Sequence, residues 1–199
     1  MNTPLIASSI SKGISYSTYR NHIKEFIKKG LSTGIEQSDA IFNYSTLNDK
    51  RMDRLDKTLS LSENTLTSLN ELNNDITLLV ISEGWCGDAA QILPVIHKIA
   101  EASTKITLKI IFRDENPELM NLYLTNGGKA IPKVLIINEE NNVLNSWGPR
   151  PSTATKMVLD YKEKNGVIDD EFKKDLQMWY NKDKGNNTQQ DLINLIKAV

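Results

Sequence analysis

A single cysteine, Cys86, is the side chain of this sequence with the clearest capacity for chemistry. It lies between Trp85 and Gly87, after an apolar run of strand character over 77–81 and before a run with helical spacing. Backbone N–H groups at a helix N-terminus are unpaired and favour a thiolate over a thiol. This placement predicts an exposed, activated thiol that acts as a nucleophile. The alternative is a small buried apolar residue, the commoner role of a lone cysteine.

Three charged residues bear on the ionisation of Cys86. Asp88 falls in the first turn of the predicted helix, where the helix dipole favours a carboxylate and where it can cap the helix. Its negative charge opposes thiolate formation, so the sequence leaves the direction of the Cys86 pKa shift open. Arg113, at the end of a later strand, is a candidate for thiolate support, with a surface ion pair as the alternative. Glu83 is expected to be solvated, with a role in proton transfer near Cys86 as the alternative.

The segment around Cys86 resembles the active-site turn of thioredoxins. It reads Trp85-Cys86-Gly87-Asp88-Ala89, where thioredoxins have Trp-Cys-Gly-Pro-Cys. Further matches in order and spacing are Pro94 in the same helix, Asp114 and Asn116-Pro117 after a strand, Ile131-Pro132 before a strand, and Gly148. The resemblance covers residues 60–165, about half of the chain.

This resemblance implies both a fold and a binding groove. The fold is α/β, a thioredoxin-like three-layer sandwich in which helices flank a central mixed sheet. A cis bond at Ile131–Pro132 would turn the Ile131 backbone toward Cys86 and offer strand-like pairing to a bound peptide, whereas the alternative is a proline at a strand edge. The implied substrate-binding residues are Trp85, Gly87, Asp88, Ile131, Pro132 and Gly148.

Ala89 stands where thioredoxins carry their second cysteine, and this departure limits the chemistry. A mixed disulfide on Cys86 would have to wait for an outside thiol. The leading hypothesis is a thiol–disulfide exchange protein that uses Cys86 alone. The alternative is a non-enzymatic module that binds peptides or a partner protein through the Trp85/Pro132 groove. A peroxide-sensing thiol is a third reading, although the threonine typical of peroxidatic sites is replaced by Glu83.

Hydrophobic spacing and turn residues predict alternating strands and helices in the middle of the chain. Residues 1–15 are expected to be irregular. The predicted strands are 76–82, 106–112, 132–138 and 142–147, and the predicted helices are 17–29, 39–57, 62–72, 87–102, 116–126, 152–164, 170–181 and 188–197.

The pattern divides the chain into three parts. Residues 1–60 are expected to form a helical N-terminal extension, 61–165 the thioredoxin-like domain, and 166–199 a helical C-terminal extension packed on the core. In the helix over 39–57 the expected inward residues are Ile41, Tyr44, Leu47, Met52 and Leu55. The same helix carries alternating charges typical of a solvated face, although Arg51 or Arg54 could stabilise Cys86 if the helix covers the groove.

Composition excludes several classes of function. The net charge of −1 offers no basic field for nucleic acid, and no apolar stretch approaches the roughly 20 residues that span a bilayer. One cysteine permits no internal disulfide, and two histidines predict no metal cluster; we expect no cofactor. No signal peptide is apparent, so the cytoplasm is the expected location. The expected partners are protein or low-molecular-weight thiols and disulfides; the sequence leaves the substrate, reductant and oligomeric state open.

Overall fold

The computed structural model describes residues 3–198, which form nine helices and a four-stranded sheet. The strands are β1 (Ile76–Ser82), β2 (Ile106–Phe112), β3 (Lys133–Ile137) and β4 (Val143–Trp147). The helices are α1 (Thr3–Lys12), α2 (Tyr16–Lys28), α3 (Asp39–Thr58), α4 (Glu63–Asn70), α5 (Gly87–Glu101), α6 (Pro117–Leu122), α7 (Ser152–Asn165), α8 (Asp170–Asp183) and α9 (Asn186–Lys197).

The sheet is mixed and has the strand order β2-β1-β3-β4. β1 runs parallel to β2 and antiparallel to β3, and β3 pairs with β4 as an antiparallel hairpin. β1 and β3 are buried along almost their whole length, because helices cover both faces of the central strands. The α/β fold with helical extensions is therefore confirmed.

The N-terminal helices share the core of the sheet. Tyr19 and Ile23 of α2 and Met52 of α3 belong to one buried apolar cluster with Leu78 of β1. Ile14 also forms an antiparallel bridge to Ile110 of β2. The three-part division of the chain stays a prediction, but these residues pack as part of the fold.

Three local expectations were wrong. Residues 3–12 form α1 rather than an irregular segment, and α6 ends at Leu122 instead of near 126. Tyr44 and Leu47 of α3 are exposed, because the buried face of that helix carries Ser45 and Asn48. Ser45 bonds to a buried serine and Asn48 to the backbone of Gly84, so polar residues hold inward positions.

An ionic cluster joins α2 to α3. Arg20 of α2 is buried and its guanidinium contacts the carboxylates of Asp49, Asp53 and Asp56. Lys24, one turn further along α2, reaches the same Asp53 from the surface. This cluster connects α2 and α3. Both helices lie near residues 83–88, the segment that contains Cys86 and is called the thiol turn below.

None of the helices between residues 3 and 198 has the length and apolarity that crossing a lipid bilayer requires.

Candidate functional site

Cys86 is the N-cap of α5 and lies against the loop that precedes β3. Its Sγ accepts a hydrogen bond from the Ala89 N–H at 3.4 Å and donates one to the Ile131 carbonyl at 3.3 Å. The Ile131–Pro132 peptide bond is cis, which confirms that prediction. The thiol and the backbone of the predicted peptide-pairing loop are therefore in direct contact.

The expectation of an exposed, activated thiol was wrong. Cys86 is only 8% exposed, and burial raises the pKa of its thiol to about 12. The nearby Asp88 raises this pKa further, while the backbone N–H groups at the start of α5 and the charge of Arg150 lower it. Desolvation exceeds the contribution of the helix N-terminus, so the resting group is a thiol.

Side chains of α3 and α8 approach the turn around Cys86 at Gly87. A Cβ added at Gly87 would lie 3.8 Å from Arg51 Nη1 of α3 and 3.8 Å from Gln177 Nε2 of α8. Gln177 also accepts a hydrogen bond from Gln91 of α5 at 2.9 Å. In the predicted groove Ile131 and Pro132 are buried, whereas Trp85, Gly87 and Gly148 are half-buried.

Asp88 lies in a buried cluster with two partners that its sequence neighbours do not predict. One carboxylate oxygen is 2.7 Å from Arg150 Nη2, and the other accepts a hydrogen bond from Tyr180 at 2.9 Å. Burial raises the pKa of Asp88, while Arg150 and Tyr180 lower it. Asp88 is therefore the anchor of the loop after β4 and of α8 rather than a solvated helix cap.

Arg113 has partners other than the thiol. Its Nε donates to Asp114 at 2.8 Å, and its guanidinium lies over the ring of Trp85, 4.8 Å from the ring centroid. The cation whose charge acts on Cys86 is instead Arg150. Thiolate support by Arg113 is therefore replaced by a role in holding the half-buried Trp85.

Glu83 is fully buried, which corrects its expected solvation. Its Oε1 accepts a hydrogen bond from the Asp114 N–H at 3.0 Å, and burial raises the pKa of its carboxyl group. This contact connects the start of the thiol turn to the end of β2.

Residues before the thioredoxin-like segment support the thiol turn from behind. The Gly84 N–H donates to Thr33 Oγ1 at 2.8 Å, and the Gly84 carbonyl accepts from Asn48 Nδ2 at 3.1 Å. Tyr19 and Ser82 share a hydrogen bond of 3.3 Å just below the turn. No local pattern in the sequence marks Thr33 or Asn48 as site residues, since their partners are backbone groups distant along the chain.

Gly148 permits the close approach of the loop after β4 to the loop before β3. Its φ is +110°, and a Cβ at this position would lie 2.2 Å from the Pro132 carbonyl oxygen. Gly148 and Pro132, which the resemblance placed in register, are therefore in backbone contact. This contact leaves no room for a side chain at position 148.

We expect Gly148→Ala to destabilise the fold by at least about 2 kcal/mol, because an L-residue is strained at this φ and the methyl group overlaps the Pro132 carbonyl. Urea unfolding followed by circular dichroism measures the loss. Gly166→Ala is the matched control, since Gly166 also has a positive φ, +81°, but nothing lies within 4 Å of its Cβ position. Equal losses for the two variants would contradict the steric part of this prediction.

Comparison with known proteins places this geometry in a family. The family model described as Thioredoxin matches residues 34–173, well over half of the chain. The chain belongs to the thioredoxin family. The match begins at residue 34 and therefore includes α3, which approaches the thiol turn at Gly87 in this thioredoxin-family protein.

A relative of known sequence agrees with this assignment. A Streptomyces coelicolor protein named "Putative thioredoxin 2" is 28% identical over 92 residues, which are 46% of this chain and 66% of that protein. The chain thus spans slightly less than two thirds of the length of this relative. Family membership supports a role of the thiol–disulfide exchange type in general.

Two solved structures share the fold over nearly the whole chain. A protein of unknown function from Pseudomonas aeruginosa superposes with a TM-score of 0.65 at 19% identity, covering 96% of both chains. An HIV epitope-scaffold superposes with a TM-score of 0.64 at 20% identity, covering 97% of this chain and 98% of the scaffold. Both comparisons extend through the N- and C-terminal helices, so the extensions are part of a recurrent fold.

Proposed function

We propose that this thioredoxin-family protein carries out thiol–disulfide exchange with Cys86 as its single nucleophile. The observation that carries the proposal is the contact between Cys86 Sγ, at the N-terminus of α5, and the Ile131 carbonyl beside the cis proline. The nucleophile therefore touches the backbone that would pair with a substrate. Trp85, Gly87, Asp88, Pro132 and Gly148 would surround the bound disulfide.

The exchange needs one thiolate and one outside thiol. The Cys86 thiolate attacks one sulfur of a substrate disulfide, forms a mixed disulfide, and releases the other sulfur as a thiol after it takes up a proton. Ala89 provides no second sulfur, so an external thiol must attack the mixed disulfide to free Cys86. A reducing compartment such as the cytoplasm supplies such thiols.

The buried thiol makes this exchange conditional on opening of the site. At 8% exposure, Cys86 offers little of its surface to a substrate disulfide. Side chains of α3 and α8 lie at Gly87, so a shift of either helix is the movement that we propose for opening the site. Small disulfides and extended peptides are accordingly the expected substrates.

We expect the native protein to form one mixed disulfide with oxidised glutathione, and Cys86→Ser to form none. The reaction is slow at neutral pH and accelerates as pH rises, because the pKa of the buried thiol is raised to about 12 and only the thiolate attacks. Intact mass spectrometry of the folded protein measures the added glutathionyl group. Labelling only after denaturation would contradict the proposal.

A second candidate is a binding module without thiol chemistry. The high pKa of Cys86 favours it, since a thiol of this kind serves as well for packing as for reaction. In that case Cys86→Ser would bind the same peptides as the native protein, and the folded protein would resist both oxidised glutathione and alkylation. The mixed-disulfide experiment therefore separates the two candidates.

A further inference from the structure

Two residues from Cys86, at the start of α5, the fold pairs a guanidinium with a buried acid. Arg150 pairs with Asp88 at 2.7 Å, and its charge also favours the ionised form of Cys86. Its Nε is buried and has no hydrogen-bond partner among the described residues, so the guanidinium retains an unused donor. Asp88 and Cys86 are two residues apart at the start of α5, and both are buried. Two negative charges here would compete for one cation.

The remaining groups near the thiol do not supply a second counter-charge. Tyr19, beneath Cys86, and Tyr180, on Asp88, are phenols whose pKa values lie above the ordinary range because they are buried. Glu83 is a buried acid. Arg51, at Gly87, donates to Asn48, and the charges that act most strongly on Cys86 are those of Asp88 and Arg150.

We propose that Arg150 pairs with Asp88 in the resting protein and with the Cys86 thiolate during exchange. Asp88 takes up the proton that Cys86 gives up. The inference rests on the proposed function and concerns its acid–base step. Protons balance: the neutral Asp88 later returns its proton to the thiolate released from the substrate. Overall, the Cys86 thiol and a disulfide give a mixed disulfide and a thiol, with no change in the net charge of the site.

Tyr180 controls this competition from the C-terminal helix α8. Its hydroxyl donates to the Asp88 oxygen that does not face Arg150, and it stabilises the ionised carboxylate. Loss of this bond makes protonation of Asp88 easier and frees Arg150 for the thiolate. Tyr180 is thus a positioning residue that makes the reactivity of Cys86 depend on the docking of α8.

The test is the pH dependence of Cys86 alkylation by iodoacetamide, which involves no disulfide. The midpoint is the pH at which the alkylation rate reaches half of its maximum. We expect Asp88→Asn to lower this midpoint by at least about one pH unit, which gives about tenfold more thiolate at neutral pH. Tyr180→Phe should shift it in the same direction by less. Arg150→Gln should slow alkylation at neutral pH in the native background and also in the Asp88→Asn background, because Arg150 acts on the thiolate itself.

Two controls separate acidity from exposure. Gln177→Ala removes the bond between α8 and Gln91 without a change of charge and leaves the partners of Asp88 in place. Its effect on the midpoint comes from relief of desolvation alone and should be smaller than the effect of Asp88→Asn. Tyr161→Phe removes a hydroxyl that donates to Asp169 away from the site and should change neither. Near-ultraviolet circular dichroism verifies that each variant is folded.

Two results would overturn the inference. One is an unchanged or higher midpoint for Asp88→Asn, or for Tyr180→Phe if Asp88→Asn fails to fold. The other is an Arg150→Gln change without effect in the Asp88→Asn background, which would leave Arg150 a merely structural partner of Asp88. A protein that shows the predicted midpoints but forms no mixed disulfide would instead contradict the proposed function alone.

Discussion

Ala89→Cys is expected to give a protein that reduces the disulfides of insulin on the order of tenfold faster than the native protein at the same supply of dithiol. Ala89 is in the first turn of α5, and its N–H already contacts Cys86 Sγ at 3.4 Å. Residues three apart on a helix have Cβ atoms about 5–6 Å apart, and the extended backbone of Cys86 allows the shorter separation that a disulfide needs. The second thiol would release the substrate that otherwise waits on Cys86.

The matched control is Ala100→Cys, which adds a second thiol to the same helix about 20 Å from Cys86, as the helical rise requires. This variant should reduce insulin no faster than the native protein. Turbidity of precipitating insulin measures all three proteins. If the native protein already matches the Ala89→Cys variant, release of the mixed disulfide does not limit turnover and the single-thiol mechanism is wrong.

Arg20→Met is expected to destabilise the fold by about 3 kcal/mol. Arg20 is 5% exposed and faces three carboxylates, so its removal leaves Asp49, Asp53 and Asp56 without their shared cation. The estimate lies at the lower end for a broken buried ion pair, because water still reaches Asp53 and Asp56, whose side chains are 44% and 32% exposed. The urea unfolding midpoint measures the loss.

Lys24→Met is the matched control for the Arg20 cluster. Lys24 pairs with Asp53 at 3.1 Å, but both side chains are more than 40% exposed, so the loss should stay below about 1 kcal/mol. A similar loss for the two variants would mean that burial adds nothing to the Arg20 pairs. A large loss for Arg20→Met alone would identify the buried contact between α2 and α3 as a main contributor to the stability of the fold.

Local patterns in the sequence were sufficient for the strands and for the position of Cys86. The strand 76–82, the helix beginning at Gly87 and the N-cap position of the cysteine follow from apolar spacing within a few residues. The resemblance to thioredoxins added the cis bond at Pro132, and the register with Gly148 proved to be a backbone contact. Short-range spacing predicts the strand and the helix start because each depends on neighbours close in the chain, whereas the cis bond and the Gly148 contact were predicted only through the resemblance.

The inward face of α3 was harder to predict. Apolar spacing correctly pointed to Met52 and Leu55 in the second half of the helix. In the first half it pointed to Tyr44 and Leu47, yet the buried positions there belong to Ser45 and Asn48. Those side chains satisfy polar groups of other segments, as Asn48 does for the Gly84 carbonyl. A polar residue on a buried face is recognisable only when its partner is known.

The chemical state of Cys86 was decided by tertiary structure alone. The sequence correctly placed the thiol at a helix N-terminus, which favours a thiolate, but Arg51 and Gln177 approach the turn from helices distant in the chain. The partners of Asp88 are likewise distant: Arg150 follows β4 and Tyr180 belongs to α8. Sequence spacing determines which groups a helix end presents, whereas desolvation and ion pairing depend on every segment packed around it, and here they determine the ionisation of the thiol.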